Sequence, residues 1–364
     1  PPKSSRRKRK RKSNRKPSRP LPHRASSCSN RRSLARHTSL RAGGVPVAAT
    51  VTHDVRRRPE RIVHADWSVA ADKRWAAHAD LRADGRYEVD RPEPITPAAL
   101  LSMMSNGAAL VGFDFPIGVP AAYAARAGVR SFNELLALLG NGAWSSFFDV
   151  ARTRAEISLQ RPFYPSAAGG TKREHLLEAL GLRSANELFR RCDIAKGRRA
   201  CPLFWTLGGN QVGKAALSGW REVLQPARAS GVADLWPFDG TLDELLARGR
   251  TVIVETYPGD VYSYVGASLP KTPSGYGKRS QASRAASARG IAEWARRADI
   301  ELSAELDREL RDGFGSSKSG EDRFDAFVGL LGMCAVVQGA REVGAPASDD
   351  VREIEGWILG RAAS

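Results

Sequence analysis

Three stretches decide the fold: RIVHADWSV (61–69), ALVGFDF (109–115) and TVIVETY (251–257). Each is a short apolar run that ends on a carboxylate, at Asp66, Asp114 and Glu255. The run at 109–113 does not alternate with polar residues, which predicts a strand of a sheet covered on both faces, and TVIVETY reads as a further strand. After the first stretch come KRWAAHADL and RYEVD, with the turn residues AADK and ADG between, so a three-strand meander is expected. PAALLSMMSNG (97–107) has proline at its start and glycine at its end, the signature of a short helix.

Residues from about 120 to 250 read as helical segments broken by Gly and Pro, among them FNELLALLG, REHLLEALG and LDELLARG. After the strand at 251, SLPKTPSGYGKRSQAS (268–283) reads as a mobile loop, and three helices follow, the last in EDRFDAFVGLLGMCAVVQGA (321–340). The expected fold class is therefore α/β, a sheet flanked by helices with a large helical insertion. The expected domains are a basic tail over 1–58 and one folded domain over 59–364, with the insert at about 120–250.

The 364 residues carry a formal net charge of +18, which suggests a nucleic-acid binder until its distribution is read. Residues 1–60 hold 19 Lys and Arg against two acids, Asp54 and Glu60, while the rest holds 38 basic against 37 acidic residues. Basicity thus belongs to the tail, and the near-neutral domain is not built to hold a duplex tightly through charge alone. The tail is rich in Arg, Lys, Ser and Pro and cannot bury enough surface to order itself. Three readings are open: a nucleic-acid arm, a solvated extension, or a segment foreign to the native protein, since Met103 is the first methionine and Val51 or Val55 would serve as alternative starts.

Cys28, Cys192, Cys201 and Cys334 form no CxxC pair and no zinc spacing, so a reduced, cytoplasmic setting is expected. No apolar run reaches the length of a membrane span, and no membrane partner is expected. The sequence does not set the oligomeric state.

Three strand-end acids need partners, because a buried unpaired carboxylate is costly. The last helix adds Asp322 and Asp325, three apart and so on one face. Carboxylates converging on one point repel, and a hard divalent cation, Mg²⁺ or Mn²⁺, relieves that repulsion through oxygen ligands. Two such ions suit phosphodiester cleavage. Read singly, each of these acids is a turn former or helix cap; their shared placement favours a common metal site.

With these residues in view, HADWSVA…RWAAHADL, VGFDFPIGVP, VETYPGDVYSYVG and EDRFDAFVGLLG resemble an uncharacterised prokaryotic family described as predicted nucleases with a ribonuclease H-like fold. The resemblance covers roughly 61–125 and 205–340, and the DFPIG and DRFDAF blocks are its more specific parts. It implies a mixed five-stranded sheet with an antiparallel second strand. It also implies Asp66, Asp114 and Asp325 at metal-binding positions, with Glu255 or Asp322 completing the shell. The expected function is a divalent-metal-dependent nuclease or related phosphoester hydrolase acting on nucleic acid or a nucleotide. The alternatives are an ATP-using phosphotransferase of related fold and a non-catalytic nucleic-acid-binding module.

GGNQVGKA (208–215) falls one residue short of a phosphate loop, because Ala215 stands where a hydroxyl would meet Mg²⁺. It reads first as a Gly-rich lead-in to a helix, and second as a cleft wall presenting Gln211 and Lys214 to substrate. Lys271, Lys278 and Arg279 are candidate phosphate contacts, against a background expectation of solvated loop charge. His64 is expected to be packed and hydrogen-bonded, with a proton shuttle as the rival role. Trp205, Trp220, Trp236 and Trp294 are expected to anchor the core.

Overall fold

The computed structural model describes residues 57–194, 201–208, 212–273, 277–346 and 348–362. The basic tail predicted over 1–58 lies outside these apart from Arg57 and Arg58. Eight strands form one mixed sheet: β1 (Arg61–Asp66), β2 (Trp75–Leu81), β3 (Tyr87–Val89), β4 (Glu93–Pro94), β5 (Ala109–Phe113), β6 (Ala233–Leu235), β7 (Thr251–Glu255) and β8 (Ile300–Leu302). The order is β6-β7-β5-β1-β2-β3-β8, with β4 pairing β2. β2 runs antiparallel to β1 and β3, while β1, β5, β7 and β6 are mutually parallel along that path.

The α/β expectation is met, and the five strands expected from the sequence form the middle of the sheet. The count of five is corrected to eight. The additions β4, β6 and β8 have two or three residues each, too few for a hydrophobic period to be read; β3 is as short but is marked by the turn ADG that joins it to β2. The helix predicted at 97–107 is found at Pro97–Asn106, capped by the Thr96 hydroxyl accepting from the Ala99 amide.

Alternation along the strands divides the core in two. Val63, Ala65, Val111, Phe113 and Ile253 face the insert, whose aromatic residues Phe132, Phe147, Phe163 and Trp220 are fully buried with them. Ile62, Leu110, Val252 and Val254 face the other way, toward the helix Ser319–Val337. Trp220 and Trp236 are buried as expected. Trp205 and Trp294 are only half-buried, packed edgewise on Tyr164 and Tyr264.

The helix Ser319–Val337 is apolar nearly all round, which suits a helix with neighbours on every side. It lies unusually close to the sheet at Gly329, where an added Cβ would stand 2.2 Å from Cε1 of His64. No helix among the described residues is long and apolar enough to cross a membrane.

Candidate functional site

Register decides which strand-end acids meet. Ala65 lies opposite Phe113 and Phe113 opposite Glu255. One residue further, Asp66 and Asp114 therefore stand level at the carboxyl ends of neighbouring parallel strands, the usual place for ligands in such sheets. By the pleat both follow Ile62, His64, Leu110 and Gly112 onto the face covered by the helix Ser319–Val337. That helix brings Asp322 and Asp325 to the same cleft, which has a volume of about 1260 Å³.

Four carboxylates, Asp66, Asp114, Asp322 and Asp325, thus line one cleft, as expected from the sequence. Burial, then Asp114, Asp325 and Asp322, hold the Asp66 carboxyl well above its ordinary pKa. Asp114 is pushed up to about 6 by burial, against the Trp67 amide and a hydrogen bond with Asp66. The Trp67 N–H donates to Asp114 Oδ1 at 2.8 Å. Burial of both groups, and for Asp66 the Asp114 charge beside it, favour a proton shared between the two over a pair of bare carboxylates. Asp322 is also pushed up to about 6, by burial and then by Glu321.

Asp325 is 4% exposed, and burial raises its pKa against Lys278 and Tyr262. The Tyr262 hydroxyl donates to its Oδ1 at 2.5 Å, and the Lys278 ammonium contacts its Oδ2. Lys278 Nζ also lies 3.2 Å from Glu321. Cationic residues complete the cleft wall: Lys73, Lys214, Lys278 and Arg279.

Glu255 does not join them, and its place in the site is corrected. It is level with Ala65 and Phe113, one residue short of the acidic pair, so its side chain points to the opposite face, toward the insert. There it takes two hydrogen bonds from Arg190, both 2.6 Å, and one from the Ile117 amide at 2.7 Å. Arg190 is fully buried and also grips Asp193. The pair ties insert to sheet.

Lys271 is exposed and does not line the cleft, so it stays in the class of solvated loop charge. Gln211 lies outside the described residues. Lys214 sits on the first turn of the helix Val212–Gly219, the helix expected after the Gly-rich segment. His64 has the packed role: it is buried, with Nδ1 at 3.1 Å from the Ala326 carbonyl and Nε2 at 2.7 Å from the Thr256 hydroxyl. Burial drops its pKa to about 3, so the ring is neutral.

Three cleft residues were not singled out from the sequence. Trp67 follows Asp66 directly, and its ring is covered by the Arg74 guanidinium at 4.3 Å. Lys73 lies in the turn between β1 and β2. Tyr262 belongs to the VETYPGDVYSYVG block, but a tyrosine in such a block carries no signal of which acid it will meet.

The donor set is all carboxylate, the chemistry that suits Mg²⁺ or Mn²⁺. Among the described residues no three of His, Cys, Asp and Glu already stand in metal-holding geometry. What fits the ion is the donor chemistry: four acids in one cleft, their carboxyls raised first by burial and then by neighbouring acids. Set against family models, curated proteins and solved structures, the chain matches none of them.

Proposed function

We propose that this protein is a divalent-metal-dependent phosphoester hydrolase on a ribonuclease H-like core, acting on nucleic acid or a nucleotide with Mg²⁺ or Mn²⁺. The observation that carries the reading is the meeting of Asp66, Asp114, Asp322 and Asp325, from two parallel strands and one late helix, in a cleft walled by cations. The path β3-β2-β1-β5-β7, with β2 antiparallel to its neighbours, supports the fold part of the proposal. It agrees with what the resemblance of the DFPIG and DRFDAF blocks implies.

In this reading Asp66, Asp114 and Asp322 hold the cation; Asp325, expected from the sequence at a metal-binding position, stands beside it with its two oxygens taken by Tyr262 and Lys278. The bound ion supplies Lewis-acid assistance to attack at phosphorus. Lys73, Lys214 and Arg279 meet the phosphate oxygens and align the scissile ester, a positioning role that counts heavily in phosphoryl transfer. No histidine lines the cleft among the described residues, so no imidazole base is assigned.

Asp66→Asn and Asp114→Asn test this. Each removes like-charge repulsion, so the metal-free protein should keep its stability or gain on the order of 1 kcal/mol per variant. Each should lose Mn²⁺ binding and any hydrolysis. Calorimetric scanning in chelator and Mn²⁺ titration read both. A large stability loss with Mn²⁺ binding intact would make these acids structural caps and end the reading.

A further inference from the structure

The four acids are not equivalent. Both oxygens of Asp325 are engaged, one by Tyr262 and one by Lys278. Asp66 and Asp114 are hydrogen-bonded to each other and to one backbone N–H and feel the Lys278 charge only at longer range, so the direct ion pair is on the Asp325 side and the strand side of the cleft has none.

Lys278 reaches Asp325 from a fixed support. The turn Gly277–Arg279 leads into the helix Gln281–Arg297, whose cap is the Ser280 hydroxyl. Arg284, 2% exposed, donates from Nη1 to the Lys278 carbonyl at 2.5 Å. Its Nε and Nη2 donate to the Gly313 and Gly315 carbonyls at 2.8 and 2.9 Å. A buried guanidinium thus locks the backbone of Lys278 to the chain that leads into the helix bearing Asp325. Lys214 and Arg279, by contrast, make no ion pair among the described residues. Burial disfavours the Lys278 charge, but Asp325, Glu321 and Asp66 outweigh it and raise the ammonium's pKa.

We propose that Lys278 is a built-in counter-cation for the Asp325 side of the cleft, so that the protein takes one divalent ion, held by Asp66, Asp114 and Asp322, where two would otherwise bind. The inference rests on the metal reading above and narrows it. An ammonium supplies one positive charge and three donors in the space where a second ion would otherwise meet Asp325.

The test is titration of the full chain with Mn²⁺ alone, by calorimetry, with electron paramagnetic resonance to detect coupled Mn²⁺ pairs. The parent should bind one ion. Lys278→Gln keeps an N–H donor but not the charge, and should bind two, with a coupled-pair signal. Lys278→Arg keeps the charge and should return to one. The lysine side chain is 37% exposed, so these variants should fold, and a melting curve confirms it. In Lys278→Gln, saturating Mn²⁺ should raise the melting temperature by more than in the parent. Two ions in the parent would overturn the proposal. So would Lys278→Gln retaining one ion with affinity within about twofold of the parent. No Mn²⁺ bound by any of the three would instead overturn the metal reading itself, and this inference with it.

Discussion

Two groups of acids sit near the same end of the sheet, on opposite faces, one buried and the other half-buried along a cleft, and they are neutralised differently. On the insert face, Glu255 and Asp193 share one guanidinium, that of Arg190, which also donates to the Ile117 and Glu355 carbonyls. Glu355 is satisfied in turn by the Ala121 and Arg191 amides. Every charge there has a partner from the chain itself. On the helix face, Asp66, Asp114, Asp322 and Asp325 have one ion-paired ammonium, Lys278 on Asp325, with Lys73 acting on Asp322 at longer range and a few hydrogen bonds among them. A closed ion-pair network stabilises an interface between chain segments and leaves nothing over for a ligand. An open one stores repulsion that a cation from solution can relieve.

The largest effect should come from breaking the closed group. Arg190→Met leaves Glu255 and Asp193 buried without a counter-charge and should destabilise the protein by about 3–5 kcal/mol, read by urea unfolding. Adding Glu255→Gln should restore part of the loss. A cost under ~1 kcal/mol, within the ordinary range for surface changes and weak pairs, would mean that the two groups do not differ as described.

Acidification should separate the groups next. Without metal, protonated Asp114 and Asp322 contribute stability that is fully present below the ordinary carboxyl pKa and lost as pH rises through about 6. Buried His64 has the opposite sign. Its contribution is fully present above the ordinary value of 6.5 and lost as pH falls toward about 3. The two slopes oppose each other between pH 4 and 6.5. The parent's melting temperature in chelator should therefore change less over that window than that of Asp66→Asn/Asp114→Asn, which keeps the His64 loss and, of the opposing carboxyl contributions, loses that of the strand pair while retaining that of Asp322. Equal slopes for parent and variant would show that the cleft acids titrate normally.

The smallest effects should come from the wall. Lys214→Ala should leave Mn²⁺ affinity unchanged and make the salt dependence of nucleic-acid binding shallower by roughly one unit of slope, the value of one phosphate contact. Lys271→Ala, outside the cleft, should change neither. Filter binding across a salt series compares the two, and equal effects would erase the distinction between wall and loop.

The sequence made the acids legible but not their partners. A run of apolar residues ending in Asp or Glu marks a strand end, and it marked Asp66, Asp114 and Glu255 alike. What separates them is a register offset of one residue, set by β5–β7 pairing across 138 residues of chain between Ile117 and Glu255. No local pattern records such an offset. The partner of Glu255 was equally hidden, because Arg190 lies in the irregular insert among other arginines. The pair Asp322 and Asp325 was readable because helical spacing is local. Strands of two or three residues carry no period, so β4, β6 and β8, which lack the tight turn that marks the equally short β3, emerge only once their neighbours are in place.

Gly329 sets a dimension of the molecule. A methyl group there would need about 1 Å more room than the His64 ring leaves, since ordinary contact begins near 3.4 Å and the added carbon would stand at 2.2 Å. Asp325 is four residues away, one helical turn along the same rod. Any thickening at residue 329 would lift the rod and carry Asp325 with it, away from Asp66. The hydrogen atom that serves as this glycine's side chain works as a gauge block: the width of the gap between acids of the strands and acids of the helix is machined by a residue that touches neither.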